Sequence, residues 1–331
     1  MRFSPVRFFP IRSRLALPAA LMAVVLLSAL SMAVGTGDIP WRLLLTDPGA
    51  GDLLLITRWP RTAALLLAGM SMALCGLIMQ QLTQNRFVEP GTAGTVSSAG
   101  LGLLVMGIFW PAAPVAVKML AATGFALAGT ALFLLIVSRL PLRSSLLVPL
   151  VGIMLGAVVG AATVFLAVRF EMLQSLVGWM AGDFSAVLRG RYEVLWLSGG
   201  LMLLAYAVAD RFAVAGMGRD VAVTLGLNYR ATLALGLAIV AAVNGMVTVV
   251  IGTLPFLGLI VPNLVSLMRG DSVRGNIPWV CVLGGGIVLA CDIVGRVVRA
   301  PYEVPVGTVL GVFGALLFLG VLLTDRAHAR P

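Results

Sequence analysis

The chain has 331 residues, 60% of them hydrophobic and only 11% charged, with a mean hydropathy of +1.06. Such a composition excludes a soluble globular domain, and the long solid apolar runs exclude the ~10-residue alternating segments of a membrane β-barrel. The net charge of +10 sits in short arginine-bearing connections between apolar runs, which is the pattern of membrane anchoring and not of nucleic-acid binding.

In chain order, residues 1–14 form a basic tail, MRFSPVRFFPIRSR. The run at 15–34 is long, and the many later spans need an anchor with this orientation, so it is expected to be a retained helix and not a cleaved signal peptide. Further apolar runs follow at 60–82, 93–110, 116–137, 146–168, 192–209, 231–250, 256–268, 277–297 and 305–323. The expected fold is therefore all-α: a polytopic membrane protein of about ten transmembrane helices, one transmembrane domain over residues 1–331. With the N-terminus inside, fourteen of the 23 basic residues fall on the inner side and nine on the outer. Both termini, including the tail 324–331, are thus expected in the cytoplasm. Five spans in each half would put a second copy in inverted orientation, an arrangement common among transporters.

Three connections break the monotony. Residues 169–191 are long and amphipathic and are expected to form a short helix lying on the outer face. Residues 210–230 mix small, apolar and charged residues and are expected to fold at the cytoplasmic side, either resting on headgroups or docking a partner. Gly252–Asp271, GTLPFLGLIVPNLVSLMRGD, carries two glycines, two prolines and an asparagine in its first twelve residues. Proline removes a backbone donor, and broken backbone at membrane depth survives only where protein or a water-filled cavity satisfies it. This stretch suggests a transporter or channel more than an anchor.

Few residues carry chemistry. Cys75, Cys281 and Cys291 lie in apolar runs and read as packing residues; the single histidine, His328, is in the C-terminal tail, so no histidine metal site is expected. Asp292 is the clearest acidic residue within a span, and Arg296 one helical turn on makes a structural intramembrane pair the favoured role. No Gly-x-x-x-x-Gly-Lys-Ser/Thr loop is present, so the chain does not bind ATP in that way. No catalytic constellation can be assembled.

Five motifs in order resemble one family. They are RWPRT (58–62), QNRFVEPGTAGTVSSAGLG (84–102), LGLNYR (225–230), PFLGLIVPN (255–263), and CDIVGR with EVPVG (291–296 and 303–307). Together they resemble the iron-siderophore and vitamin B12 permease family (FecCD-like), the membrane subunits of type II ABC importers. The chain departs from many members at 86–88, where Arg-Phe-Val replaces Pro-Leu-Ala, and at Asn263, where histidine is common. Both variants resemble the branch serving catecholate and mixed siderophores of the anguibactin, petrobactin and vibriobactin kind.

The resemblance implies a non-enzymatic subunit moving a ferric siderophore, with another iron chelate, haem or cobalamin as alternative cargo. It implies that Arg58, Arg61 and Arg296 dock a periplasmic or lipid-anchored binding protein through its carboxylates. Met217, Asp220, Thr224, Leu225, Gly226 and Leu227 would contact an ATPase subunit. Gly91, Thr92, Gly94, Thr95, Ser97 and Ser98 would line the translocation path, although helix packing through small residues explains them equally. Pro255, Pro262 and Asn263 would shape the gate. The implied partners are a second permease subunit (different or identical), two ATPases and the binding protein, in a bacterial cytoplasmic membrane. No cofactor is expected in the chain itself, since ATP belongs to the partner and iron stays within the siderophore. An ion-coupled secondary transporter competes with this scheme, but it would want more buried carboxylates than the sequence shows.

Overall fold

The computed structural model describes residues 16–34, 54–139, 147–190 and 192–328, with side chains described as far as residue 320. The tail 1–14 therefore lies outside the described residues, as does part of the tail 324–331. Every described element is helical, apart from one isolated backbone bridge between Ala181 and Gly252. The helices are α1 (Ala16–Ala33), α2 (Trp59–Thr83), α3 (Thr95–Phe109), α4 (Val115–Ser138), α5 (Leu147–Arg169), α6 (Leu173–Met180), α7 (Trp196–Ala207), α8 (Ala209–Gly216), α9 (Arg219–Thr224), α10 (Tyr229–Val250), α11 (Leu257–Arg269), α12 (Val273–Val297) and α13 (Val306–His328).

Each apolar run in the sequence has its helix. Among the described residues, six helices are long and apolar enough to cross a membrane on their own: α1, α2, α4, α5, α10 and α12. Apart from α13, the others are shorter or bent. Helices α3 and α11 have 15 and 13 residues, and the segment from Glu193 through α7 bends by 61° into α8. The shortness has a common cause. Irregular backbone occupies 84–94 before α3 and 251–256 before α11, so part of each crossing is not helical. These two breaks fall at corresponding places, between the second and third apolar run of each half of the sequence.

The core is built around α2, which is buried along almost its whole length and packs against α12, α11, α10 and α8. Close approach is achieved through small residues, as expected where lipid is as apolar as the protein. A methyl group on Gly76 would lie 1.9 Å from the Gly258 carbonyl oxygen, and one on Gly69 would lie 2.7 Å from that of Gly284. Outward residues of α1, α5 and α13 remain apolar and exposed, as in Leu26, Phe165 and Leu316. A membrane or a neighbouring subunit would cover these faces.

The connection 169–191 differs from expectation. Met172 and Trp179 of the α6 region lie against Gly107, while Met180 lies against Gly100, a turn and more deeper along α3. Helix α6 therefore descends beside α3 and does not lie flat on the surface. Glycines on α3 open a groove for its bulky side chains, and that packing outweighs the interfacial alternative.

Candidate functional site

At the end of the molecule where α2 begins and α12 ends, four charged side chains form one network. Arg61 donates through Nε (3.1 Å) and Nη2 (2.7 Å) to Asp292 Oδ1, and through Nη1 to Glu303 Oε1 (3.1 Å). Arg296 pairs with the other oxygen, Oδ2, of Asp292 at 2.5 Å. Asp292 is fully buried, whereas Arg61 and Glu303 keep 14% and 19% of their side chains exposed. Burial of charge is tolerated because the two cations face two anions and nearly every donor finds an oxygen. Two arginines also terminate α1. Arg296 donates to the carbonyl of Ser31 (2.9 Å), to that of Val34 and to Ser31 Oγ (2.7 Å); Arg58 donates to the carbonyl of Met32 (2.8 Å). These are the carbonyls that a helix C-terminus leaves unpaired.

Three irregular segments meet near the start of α11. Gly307 N–H donates to the Gly182 carbonyl (3.1 Å), Asp183 N–H to that of Ile251 (3.0 Å), and Thr253 Oγ1 to that of Met180 (2.8 Å). Backbone crosses backbone here so closely that a methyl on Gly182 would lie 2.3 Å from the Thr253 oxygen. One on Gly307 would lie 2.6 Å from that of Ala181. Gly182 and Gly252 also need positive φ, 70° and 103°. This crossing explains how non-helical backbone survives: the segments satisfy one another.

Pro262, within α11, cannot donate to the Gly258 carbonyl four residues back. Gln80 of α2 supplies the missing donor, its Nε2 reaching that oxygen at 3.3 Å. Asn263 Nδ2 donates to the carbonyls of Leu259 (2.7 Å) and Arg86 (2.9 Å). Beside it, Gln80, Gln81, Gln84, Asn263, Ser266 and Asn276 line a polar cavity of about 260 Å³ under the α8–α9 corner.

The α8–α9 corner itself is two-faced. Phe212, Ala215 and Ala222 are buried, and Phe212 lies against Gly236 of α10 beside Leu82 and Ile78. Outward stand Met217, Val221, Val223 and Leu225, each 46–64% exposed. Asp220, Thr224 and Gly226 are exposed beside them, and Leu227 is half-buried.

The FecCD transport family model matches residues 21–324. The chain belongs to that family. It is 45% identical over 311 residues to the petrobactin import system permease protein FatD of Bacillus anthracis, covering 94% of this chain and 92% of that protein. Against the ferric-anguibactin transport system permease protein FatD of Vibrio anguillarum the identity is 39% over 304 residues, 92% of this chain and 97% of the relative. The solved structure of an inward-facing putative metal-chelate type ABC transporter superposes with a TM-score of 0.80 at 22% identity, over 93% of this chain and 98% of that one, and shares the fold. This is thus a multi-pass membrane permease, and its role is transport.

Within this FecCD permease the residues singled out from sequence divide clearly. Asp292 and Arg296 form the pair expected of them. Arg296, however, is buried with its donors turned to α1 and Asp292, so it offers no free guanidinium to a docking partner in this conformation. Arg61 and Arg58 are both half-buried, and Arg58 also turns donors to the carbonyls of Met32 and Ala33 at the end of α1. Among the residues expected along a path, Gly94, Thr95 and Ser98 are buried in helix packing. Thr95 Oγ1 meets Thr130 Oγ1 at 2.7 Å, and Ser98 Oγ donates to the Gly94 carbonyl at 2.9 Å. Gly91 is exposed, and Thr92 and Ser97 are half-exposed. Pro255 and Asn263 are half-buried and Pro262 is buried. Sequence reasoning missed Glu89, Glu303 and Gln80, because each lies outside a span or reads as an ordinary polar residue. The proline at 262 was the signal for Gln80: a proline within a helix demands a donor from elsewhere.

Proposed function

We propose that this permease is the membrane subunit of an ATP-driven importer that carries a ferric siderophore of the catecholate or mixed type into the cell. The observation that carries the proposal is full-length similarity, at 39–45% identity, to permeases named for petrobactin and anguibactin. Two structural features support it. The exposed apolar group Met217, Val221, Val223 and Leu225 stands on a packed lever, as a docking site for an ATPase subunit requires. At the opposite end, Arg58 and Arg189 lie close together, because Arg189 N–H donates to the Ile56 carbonyl at 3.1 Å. The exposed Arg189 and the half-buried Arg58 there suit carboxylates on a binding protein. The assembly would comprise a second permease subunit, two ATPases and the binding protein, in a bacterial cytoplasmic membrane with both termini inside. ATP would bind to the ATPases, and iron would travel within its chelator.

The test is uptake of radioactive iron as ferric petrobactin by iron-starved cells lacking this permease, with and without the gene restored. Restoration should return uptake only when the neighbouring ATPase is functional. Uptake of cyanocobalamin or haem in place of the ferric siderophore would reassign the cargo. Uptake without any ATPase would remove the importer scheme.

A further inference from the structure

Glu89 has a buried side chain with no salt bridge among the described residues; what it faces is the start of α11. Phe256 N–H donates to its Oε1 at 3.2 Å and Leu259 N–H to its Oε2 at 3.1 Å, with the Gly258 amide beside them. The N-cap position of α11 is Phe256, held at φ 62°, whose side chain cannot accept a hydrogen bond. The first amides of a helix have no partner within the helix, and the end carries a partial positive charge. Glu89 meets both needs from 167 residues away.

We propose that Glu89 is the detached N-cap of α11, a positioning residue that locks the 84–94 connection to the broken helix so that the two move as one body during transport. One further tie joins the same two elements, Asn263 to the Arg86 carbonyl (2.9 Å), and two join their flanks: Arg86 to Asp271, just past α11 (2.8 Å), and Gln80, at the end of α2, to the Gly258 carbonyl (3.3 Å). The turn presenting Glu89 is itself fixed. Its N–H donates to Thr92 Oγ1 at 2.9 Å, and its carbonyl accepts from Ala93 N–H at 3.0 Å. A half-helix N-terminus inside a transporter is elsewhere an anion site for substrate. Here the chain's own carboxylate fills it, so the positive end of α11 serves to join the two breaks of the fold. The role does not depend on which cargo the permease carries.

The first test is amide exchange on the full-length purified permease. In Glu89→Ala, the amides of Phe256, Gly258 and Leu259 should exchange at least tenfold faster while α4 and α10 keep their rates. Glu89→Gln, which keeps the shape and a single acceptor oxygen, should fall between. Unchanged exchange at 256–259, or equal acceleration throughout, would overturn the proposal. Should Glu89→Ala fail to insert, the same criterion applies to Glu89→Gln. The second test replaces the three native cysteines with alanine and bridges cysteines at Arg86 and Asp271 with a short thiol cross-linker. If the elements move as one, the bridged protein should retain ferric petrobactin uptake and the bridge should restore at least half of the uptake lost in Glu89→Ala. A bridge that stops uptake in the protein with Glu89 intact would show that the two elements move apart, contrary to the proposal. A reference protein inactive before bridging leaves the exchange result to decide the proposal, and uptake by the unaltered permease tests the cargo.

Discussion

Asp292→Asn tests the charge network around Arg61 most sharply. Asp292 is fully buried and holds two guanidinium groups, one on each oxygen. Removing one partner of a buried ion pair costs about 3–5 kcal/mol, because the remaining charge loses its counter-ion while staying out of water. Here the loss should lie near the low end, about 3 kcal/mol: Arg61 keeps Glu303, and Arg296 keeps the carbonyls at the end of α1. Arg296→Gln should cost less, since Asp292 retains Arg61 and a glutamine amide can still reach an α1 carbonyl. Because the two side chains share one pair, the double variant should be more stable than the sum of the single losses predicts, by about 1–3 kcal/mol. The assay is unfolding of the purified permease in detergent, followed by thermal or chemical denaturation for all four proteins of the cycle. Strict additivity would refute the network as described, and so would a loss for Asp292→Asn below about 1 kcal/mol, the scale of exposed pairs.

Further outcomes follow from individual contacts. Gln80→Leu should cost about 1–3 kcal/mol by leaving the Gly258 carbonyl unpaired, and Pro262→Ala should rescue it by supplying the absent helical N–H; unfolding measurements on both and on the double variant decide this. Gly76→Ala should cost about 2–3 kcal/mol, since its methyl would lie 1.9 Å from a backbone oxygen, whereas Gly124→Ala, with open space around it, should cost nothing or stabilise slightly. Met217→Asp with Leu225→Asp should leave the permease folded and inserted but abolish co-purification with its ATPase. Arg58→Gln should weaken capture by the binding protein, read as a raised apparent KM for uptake with little change in the maximal rate. Reversal at Arg61 is a poor docking test, because a third carboxylate beside Asp292 and Glu303 would disrupt the network itself.

Much of this fold is legible in sequence because the bilayer imposes simple rules. Apolar runs marked ten of the thirteen described α-helices, and Asp292 with Arg296 at i and i+4 announced their own pairing. The two prolines and two glycines after Val250 correctly signalled broken backbone. What stayed hidden is long-range: the sequence gives no cue that Glu89 would cap a helix beginning at 257, or that Glu303 would sit on Arg61. Depth was also hidden. The amphipathic stretch at 169–191 has a polar face suited to the membrane surface, and only the glycines of α3 reveal that α6 packs downward. Arg58, Arg61 and Arg296 show a third limit. A family motif identifies where they stand, but whether a guanidinium faces a partner or its own protein depends on carboxylates distant in sequence.

The most direct test of the transport account is accumulation of ferric petrobactin in proteoliposomes containing this permease, its ATPase and its binding protein. The account predicts accumulation that requires hydrolysable ATP and the binding protein and persists when ion gradients are collapsed. Accumulation driven by a proton or sodium gradient without ATP would contradict it.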